Sequence, residues 1–405
     1  MPFEFSRRIV VDREARARSA YLTVEVEIPA GVGSIEVRMD FHDPDARIDI
    51  GCEGPHGWRG WSGGARRRFV IGEKTATWGY VPGELEPGTW FVILGLHVVP
   101  DHPVPVDISV RSPAGPVENR EEPPVGRAGT PVSRVRSLPS PDDRIWCAGD
   151  FHAHTLHSDG TLSTAELARS AADNGLDFLA VTDHNTVSHH AELPRVARRY
   201  GLTLLPGQEV TTARGHANVF GYVPWVDFRR HPDTWLEHAE RANGFMSINH
   251  PVAGDCSWQW ALTRQPSHAE ILHESWASDP TSTSIWSWLN AWGTPAMLGG
   301  TDFHDPAQGR KIGDVTTWVL AEENSTDAIL HAARVGATTL SVGPTGPVLV
   351  PYGDDVIVID GAGLWLCDSL GRRSVIHNQR ETHPRTTAGP HHLETWDRTV
   401  LAIMP

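Results

Sequence analysis

Between residues 145 and 305, short apolar runs end repeatedly in histidine or a carboxylate. Ile145-Trp-Cys-Ala-Gly-Asp-Phe151 leads into His152-Ala-His154, and Ser158-Asp159-Gly160 follows in a turn. Phe178-Leu-Ala-Val181 leads to Thr182-Asp-His184, and Leu202-Thr-Leu-Leu205 precedes Gly207-Gln-Glu209. His216 opens the run Ala217-Asn-Val-Phe220, Phe245-Met-Ser-Ile248 runs into Asn249-His-Pro251, and Met297-Leu-Gly-Gly300 precedes Asp302-Phe-His304. The intervening segments carry helix signals. Ser163-Thr-Ala-Glu166 is a capping box whose helix stops near Gly175. Further helices are expected over 188–200, 233–243 and 326–335, the last followed by a strand at 338–341. Alternating strand and helix units predict a parallel sheet, open or closed into a barrel. Ligands of such sheets gather at the carboxyl ends of the strands.

Spacing of two along a strand puts His152 with His154, and Asp302 with His304, on one face. In all, six histidines (His152, His154, His184, His216, His250, His304) and three carboxylates (Asp159, Glu209, Asp302) are expected to converge. That is too many donors for one ion and suits two or three. Imidazole and carboxylate donors without thiolate favour Mn, Fe or Zn. Cys52, Cys147, Cys256 and Cys367 form no CxxC pair, so a thiolate site is not expected. Glu209 is the natural bridging carboxylate. A single histidine at a strand end is most often a satisfied polar residue; the ordered ensemble carries the reading. Arg214, Arg310 and Lys311 lie near these motifs as candidate anion contacts, although surface ion pairing accounts for each alone. His157 falls out of phase with its neighbours, and His189 and His190 read as a solvated pair. Trp258, Trp260, Trp276, Trp286, Trp288 and Trp292 read as helix packing or as an aromatic wall.

The rest of the chain differs in pattern. Residues 1–112 alternate apolar and polar with period two, as in Tyr21–Ile28, between glycine-rich turns. An all-β sandwich is expected, without ligand-spaced histidines, folding on its own or capping the barrel. Residues 113–143 are a proline-punctuated linker, 144–343 the α/β region, and 344–405 a small β appendage with a polar loop over 377–392. The balance of 35 basic against 50 acidic residues, net −15, argues against a long nucleic-acid partner. No run is apolar enough for a membrane span, and a cytoplasmic location is expected.

The order HxH, SDG, TDH, GxE, NHP, DxH resembles the PHP (polymerase and histidinol phosphatase) superfamily over roughly residues 147–342. The resemblance implies a distorted (β/α)7 barrel, making the chain a multidomain α/β plus β protein, with two or three divalent transition ions. It implies that His152, His154, Glu209 and Asp302 hold one ion, Glu209, His216 and His250 a second, and Asp159, His184 and His304 a third. Some family members have histidine where this chain has Asp159. Asp49-Ile-Gly51, Arg59-Gly-Trp-Ser-Gly63 and Pro87-Gly-Thr-Trp90 resemble the β domain of the carbaryl-hydrolase-like branch. The superfamily resemblance implies a phosphoesterase acting through metal-bound hydroxide on a small phosphoester, nucleotide or short oligonucleotide, with Glu209 and Asp302 central to catalysis. The branch resemblance implies a carbamate, ester or amide hydrolase using the same hydroxide. A binding protein with a vestigial metal site is a third class, and the complete donor set argues against it.

Overall fold

The computed structural model describes residues 1–117, 120–125, 130–273, 275, 284–293 and 295–405. Internal contacts divide it into two compact units: Met1–Glu121 with Thr155–Ser163 and Asp183–Ala191, and Glu122–His154 with Thr164–Thr182 and Glu192–Pro405. No described helix is long and apolar enough to cross a membrane.

The first unit holds two four-stranded sheets. One runs Phe3–Val11, Val104–Ser112, Ser34–Asp40, Arg68–Gly72; the other runs Tyr21–Ile28, Gly88–Val98, Arg47–Gly54, Gly57–Gly63. Every pairing is antiparallel. The period-two pattern is the cause: Val24, Val26 and Ile28 point inward while Thr23, Glu25 and Glu27 face out. Both sheets share one apolar core that includes Val26, Ile35, Ile50, Val92 and Val106. Each such side chain contributes about 1.5–3 kcal/mol on burial.

This unit does not stop at the β region, as the sequence suggested. The loop 155–163 and the segment 183–191 pack into it. Arg66 donates from Nη1 to the Ser158 carbonyl at 3.1 Å and from Nη2 to the Leu156 carbonyl at 2.5 Å. The Thr186 hydroxyl donates to the Gly79 carbonyl at 2.9 Å. Gly79 has φ of +93°, and a Cβ there would lie 2.6 Å from the carbonyl oxygens of His157 and Trp61. Only glycine allows this approach.

In the second unit the strands are β1 (Ile145–Asp150), β2 (Phe178–Val181), β3 (Thr203–Thr212), β4 (Gly215–Phe220), β5 (Phe245–Ile248), β6 (His268–His273), β7 (Ala296–Gly300), β8 (Val315–Ala321) and β9 (Thr338–Val342). The helices are α1 (Thr164–Asp173), α2 (Leu193–Tyr200), α3 (Pro232–Arg241), α4 (Ser284–Trp292) and α5 (Thr326–Arg334). The sheet order is β7-β6-β5-β4-β3-β2-β1-β8-β9. It is mixed rather than parallel throughout. β1, β2 and β3 are parallel neighbours, as are β5, β6 and β7. β4 is antiparallel to β3, because the short turn at 212–215 forms a hairpin and leaves no room for a crossover helix, and it is antiparallel to β5 as well. β8 is antiparallel to β1 and β9. Side chains draw β7 toward the far end of this order. The Thr317 hydroxyl meets both N–H and C=O of Gly299 at 2.9 Å, and Thr338 Oγ1 donates to the Met297 carbonyl at 2.7 Å.

The helices bury one face each. α3 buries Trp235, Leu236 and Ala239, and α5, capped by Ser325, buries Ile329, Ala332 and Ala333. Beyond β9 the same sheet continues through Val400–Met404, His391–Glu394, Trp365–Cys367 and Arg373–Val375. Val348–Tyr352, Asp355–Ile359 and Arg380–Pro384 form a separate three-stranded sheet. The last of these lies inside the stretch expected to be a loop; alternate side chains of that polar run are half-buried.

Candidate metal centre

The site of the second unit assembles at one end of the mixed sheet. β1 ends at Asp150, and the chain continues extended through His152-Ala-His154. An isolated parallel bridge joins Ala153 to Phe303, and the Phe303 carbonyl accepts from His154 N at 2.9 Å. The HxH and DxH pairs therefore lie side by side. Asp150 anchors both. Its Oδ1 accepts from the backbone N of His152 and of Thr301, each at 3.0 Å. Burial pushes the Asp150 carboxyl up to about 6 despite these bonds.

His152 and His154 are fully buried. Nε2 of His152 lies 3.1 Å from Asp302 Oδ1 and 3.3 Å from Glu209 Oε1. Nε2 of His154 lies 2.9 Å from Asp302 Oδ1 and 3.5 Å from Glu209 Oε2. The hairpin sets Glu209 opposite Asn218, two residues from His216. Glu209 Oε1 consequently also faces His216 Nδ1 at 3.2 Å and His250 Nε2 at 3.4 Å, and accepts from Asn249 Nδ2 at 2.8 Å. His216 opens its strand where the other residues close theirs because β4 runs the opposite way. Its beginning lies at the same sheet end. His304 stacks on His154 with ring centres 4.1 Å apart, and its Nδ1 lies 2.8 Å from the Asp302 carbonyl.

Asp159 and His184 belong to the first unit, where Asp159 Oδ1 and His184 Nε2 are 3.5 Å apart. Their loops are organised by Asp183, which accepts from the N–H and hydroxyl of Thr155 at 2.8 and 2.7 Å and from Ser158 Oγ at 2.7 Å. His189 is not solvated as expected; it is fully buried with Nδ1 3.3 Å from Asp183 Oδ2. His157 is also buried, 2.7 Å from the Ser188 hydroxyl.

Of the candidate anion contacts, Arg214 stacks over Trp260 at 4.2 Å and donates to the Gln259 carbonyl at 3.0 Å. Lys311 is exposed and Arg310 half-buried. Trp258, Trp286, Trp288 and Trp292 pack against a core containing Ile248, Ile271 and Leu289, so packing accounts for them. Trp276 lies outside the described residues.

Two residues at the centre escaped the sequence reading. Glu270 Oε1 lies 3.1 Å from His152 Nδ1, and Glu270 Oε2 accepts from the His250 backbone N at 2.9 Å. His273 Nε2 lies 3.5 Å from Asp302 Oδ2. In a regular strand, residues three apart face opposite ways. Here β6 carries a bulge: Glu270 pairs with Leu298 and Leu272 with Gly299, so Ile271 is the extra residue. Glu270 and His273 thereby share a face. Cys256 was also not expected here; its sulfur is 3.3 Å from His250 Nδ1, and burial keeps the thiol protonated.

Electrostatics show what the donor set is suited to hold. Glu209, Asp302 and Glu270 meet imidazoles rather than guanidinium groups. Burial pushes the Asp302 carboxyl up, but His152, His154 and His273 outweigh it and hold the group well below the carboxylate range. Burial alone would lower the His152 pKa, yet Asp302, Glu209 and Glu270 raise it well above the usual value. Three carboxylates thus favour a positive charge at His152, in a place that suits a divalent cation. His250 (φ +27°) and Asp302 (φ +53°) both hold left-handed backbone, which costs a non-glycine residue about 1–2 kcal/mol or more.

Residues 150–275 match the PHP domain family. The chain is 38% identical over 63 residues to the 5'-3' exoribonuclease of Haemophilus influenzae, a stretch covering 16% of this chain and 23% of that protein. It is 37% identical over 70 residues to the 3',5'-nucleoside bisphosphate phosphatase of Chromobacterium violaceum, covering 17% of this chain and 25% of that one. The chain thus spans about a quarter of the length of these two relatives. A two-domain protein from Bacteroides vulgatus, described as containing a predicted PHP-like metal-dependent phosphoesterase, aligns over 71% of this chain and 99% of its own, at 17% identity and a TM-score of 0.40.

Proposed function

We propose that the chain hydrolyses phosphate esters of small molecules of the nucleotide class, at a centre of two or more divalent transition ions, Mn, Fe or Zn. The observation that carries this is Glu209: one fully buried carboxylate faces His152, His216 and His250 through Oε1 and His154 through Oε2. His152, His154, Asp302 and Glu209 would hold one ion, and Glu209, His216 and His250 the other. Bound there, the ions would supply hydroxide near neutral pH and Lewis-acid contacts to the phosphoryl oxygens. The residues do the positioning. Asn249 fixes Glu209, and Asp150 fixes the backbone of His152 and Thr301. For a cation to be held there, the Nε2 of His152 would have to be free of a proton. Two divalent charges against Glu209, Asp302 and Glu270 leave the centre with a single positive charge, which suits an anionic phosphoryl group better than a neutral carbonyl. Arg214, Arg310 and Lys311 are the candidates for an outlying anionic group. The exoribonuclease and bisphosphate phosphatase among the relatives support a nucleotide-type substrate. The Thr317 and Thr338 bonds to β7 support reading the sheet as a distorted barrel.

The carbaryl-hydrolase-like reading uses the same hydroxide on a carbamate, ester or amide. One panel separates the two. With Mn present, aryl phosphates, nucleoside bisphosphates and short oligonucleotides form one arm, aryl carbamates and aryl esters the other. Turnover in the first arm with inhibition by inorganic phosphate is expected. Turnover confined to the second, with no phosphate inhibition, overturns the phosphoester reading.

A further inference from the structure

We propose that Glu270 and His273, brought to one face by the β6 bulge, are positioning residues that orient the ligand set around Glu209 and Asp302. The proposal rests on the metal-hydrolase reading and assigns no contact with substrate.

Glu270 acts on two ligands at once. Oε1 faces Nδ1 of His152 at 3.1 Å, and Oε2 accepts the His250 N–H at 2.9 Å. With a proton kept on Nδ1, the lone pair of His152 falls on Nε2, the atom that faces Asp302 and Glu209. A carboxylate on the far nitrogen fixes the tautomer and makes the imidazole a stronger donor. The bond to His250 N supports a residue held at φ +27°, a conformation the chain would otherwise leave.

His273 acts on the third ligand. The backbone N–H of Ser275 donates to His273 Nδ1 at 3.0 Å. Nδ1 therefore accepts, and the neutral ring carries its proton on Nε2. That nitrogen lies 3.5 Å from Asp302 Oδ2, while Oδ1 faces His152 and His154. His273 faces the outer oxygen and leaves the inner one for the cation.

A separate ion among His152, His250, Glu270 and His273 is the competing reading of the same atoms. It needs His273 Nε2 as a lone-pair donor, and the Ser275 bond puts a proton there. It also needs a second lone pair from His152, whose Nε2 is already turned toward Glu209 and Asp302.

The test uses the full chain, stripped of metal and titrated with Mn against a chromogenic chelator. Glu270→Gln is expected to lower Mn affinity by ~10–100-fold with an unchanged circular dichroism spectrum. At saturating Mn its kcat should fall while KM holds. His273→Gln keeps an N–H for Asp302 and should stay near wild type; His273→Leu fills the space without a donor and should weaken Mn binding. A merely structural role would not favour Gln over Leu at a buried position. If Glu270→Gln fails to fold, the His273 pair decides. Wild-type Mn affinity in both Glu270→Gln and His273→Leu, or equal defects in the two His273 variants, overturns the proposal. These readouts need no substrate. Weakened Mn binding in a chain that turns over no phosphate ester keeps the positioning role and removes the phosphoester reading. Phosphate-ester turnover with Mn affinity unmoved in every variant does the reverse.

Discussion

Gly300→Ala would insert a methyl group into the tightest part of the centre. A Cβ at residue 300 would stand 2.6 Å from Glu270 Oε1 and 3.0 Å from His152 N, and closer still to the His152 Cβ. Carbon and oxygen normally approach no nearer than about 3.3 Å. The Glu270 carboxylate must therefore retreat by roughly 0.7 Å, and the still closer approach to the His152 Cβ forces the backbone at residue 300 or at His152 to move as well. Such a retreat stretches its 3.1 Å contact with His152 Nδ1 beyond hydrogen-bond range. Overpacking of this kind costs about 1–3 kcal/mol, and loss of the imidazole's carboxylate partner costs ~10–100-fold in metal affinity. Gly299→Ala is the control. Its Cβ would press on Val315 Cγ1 at 2.9 Å and the Leu272 carbonyl at 3.0 Å, away from the ligands. Urea unfolding of the metal-free chain and Mn titration measure the two effects separately. Both variants should unfold at lower urea, and only Gly300→Ala should lose Mn affinity. Wild-type Mn affinity in Gly300→Ala, or an equal loss in Gly299→Ala, refutes the reasoning.

Glu209→Gln should lower bound metal more than any other single ligand change and reduce turnover at least ~100-fold, since an amide offers only one oxygen of donor quality; elemental analysis and rate measurements check this. Adding Mn to the stripped chain at about 100 times its Kd should raise stability by about 2.7 kcal/mol, seen as a higher Tm that a chelator reverses. In the first unit, buried Glu36 lies 2.5–2.8 Å from Arg38, Arg68 and Arg111. Burial raises its pKa, but bonds from Arg68, Arg38 and the Gly115 N–H carry it down from 4.5 to about 2. A depressed carboxyl stabilises fully above its ordinary pKa, and that stability is lost as pH falls through about 2. The loss is at most on the order of 3 kcal/mol, reduced by solvent screening at the half-exposed Arg38 and Arg111. Urea midpoints between pH 5 and 2 should fall less steeply in Glu36→Gln than in the wild type.

Legibility from sequence followed the range of each interaction. The strand alternation of Tyr21–Ile28 and the helix at Thr326–Arg334 depend on neighbours a few residues apart, and both are visible in the chain itself. His152, His154, His250 and Asp302 are legible because each follows the end of an apolar run, Glu209 because it lies a few residues beyond one, and His216 because it opens one. Glu270 and His273 are not. Their shared face depends on a bulge at Ile271, which is a property of the pairing with β7 and not of β6 alone. The antiparallel course of β4 was hidden for a similar reason, since Thr212-Ala-Arg-Gly215 carries no strong hairpin dipeptide. His189 looked solvated because sequence cannot show that Asp183 lies against it. The inclusion of 155–163 and 183–191 in the first unit is set by Arg66 and Gly79, dozens of residues upstream.

The outer edge of β9 is closed by Val400–Met404, through Leu340 with Ile403 and Ser341 with Ala402. That strand follows every other strand of its sheet in the chain. During synthesis β9 therefore leaves the ribosome well before the strand that will cover it. Its backbone donors and acceptors stay open for that interval, as a template for any extended segment nearby. Slow translation through 343–399 lengthens the exposure, and holdase chaperones that bind extended apolar chain shorten its reach. Yield in expression should thus respond to conditions that leave the centre itself untouched.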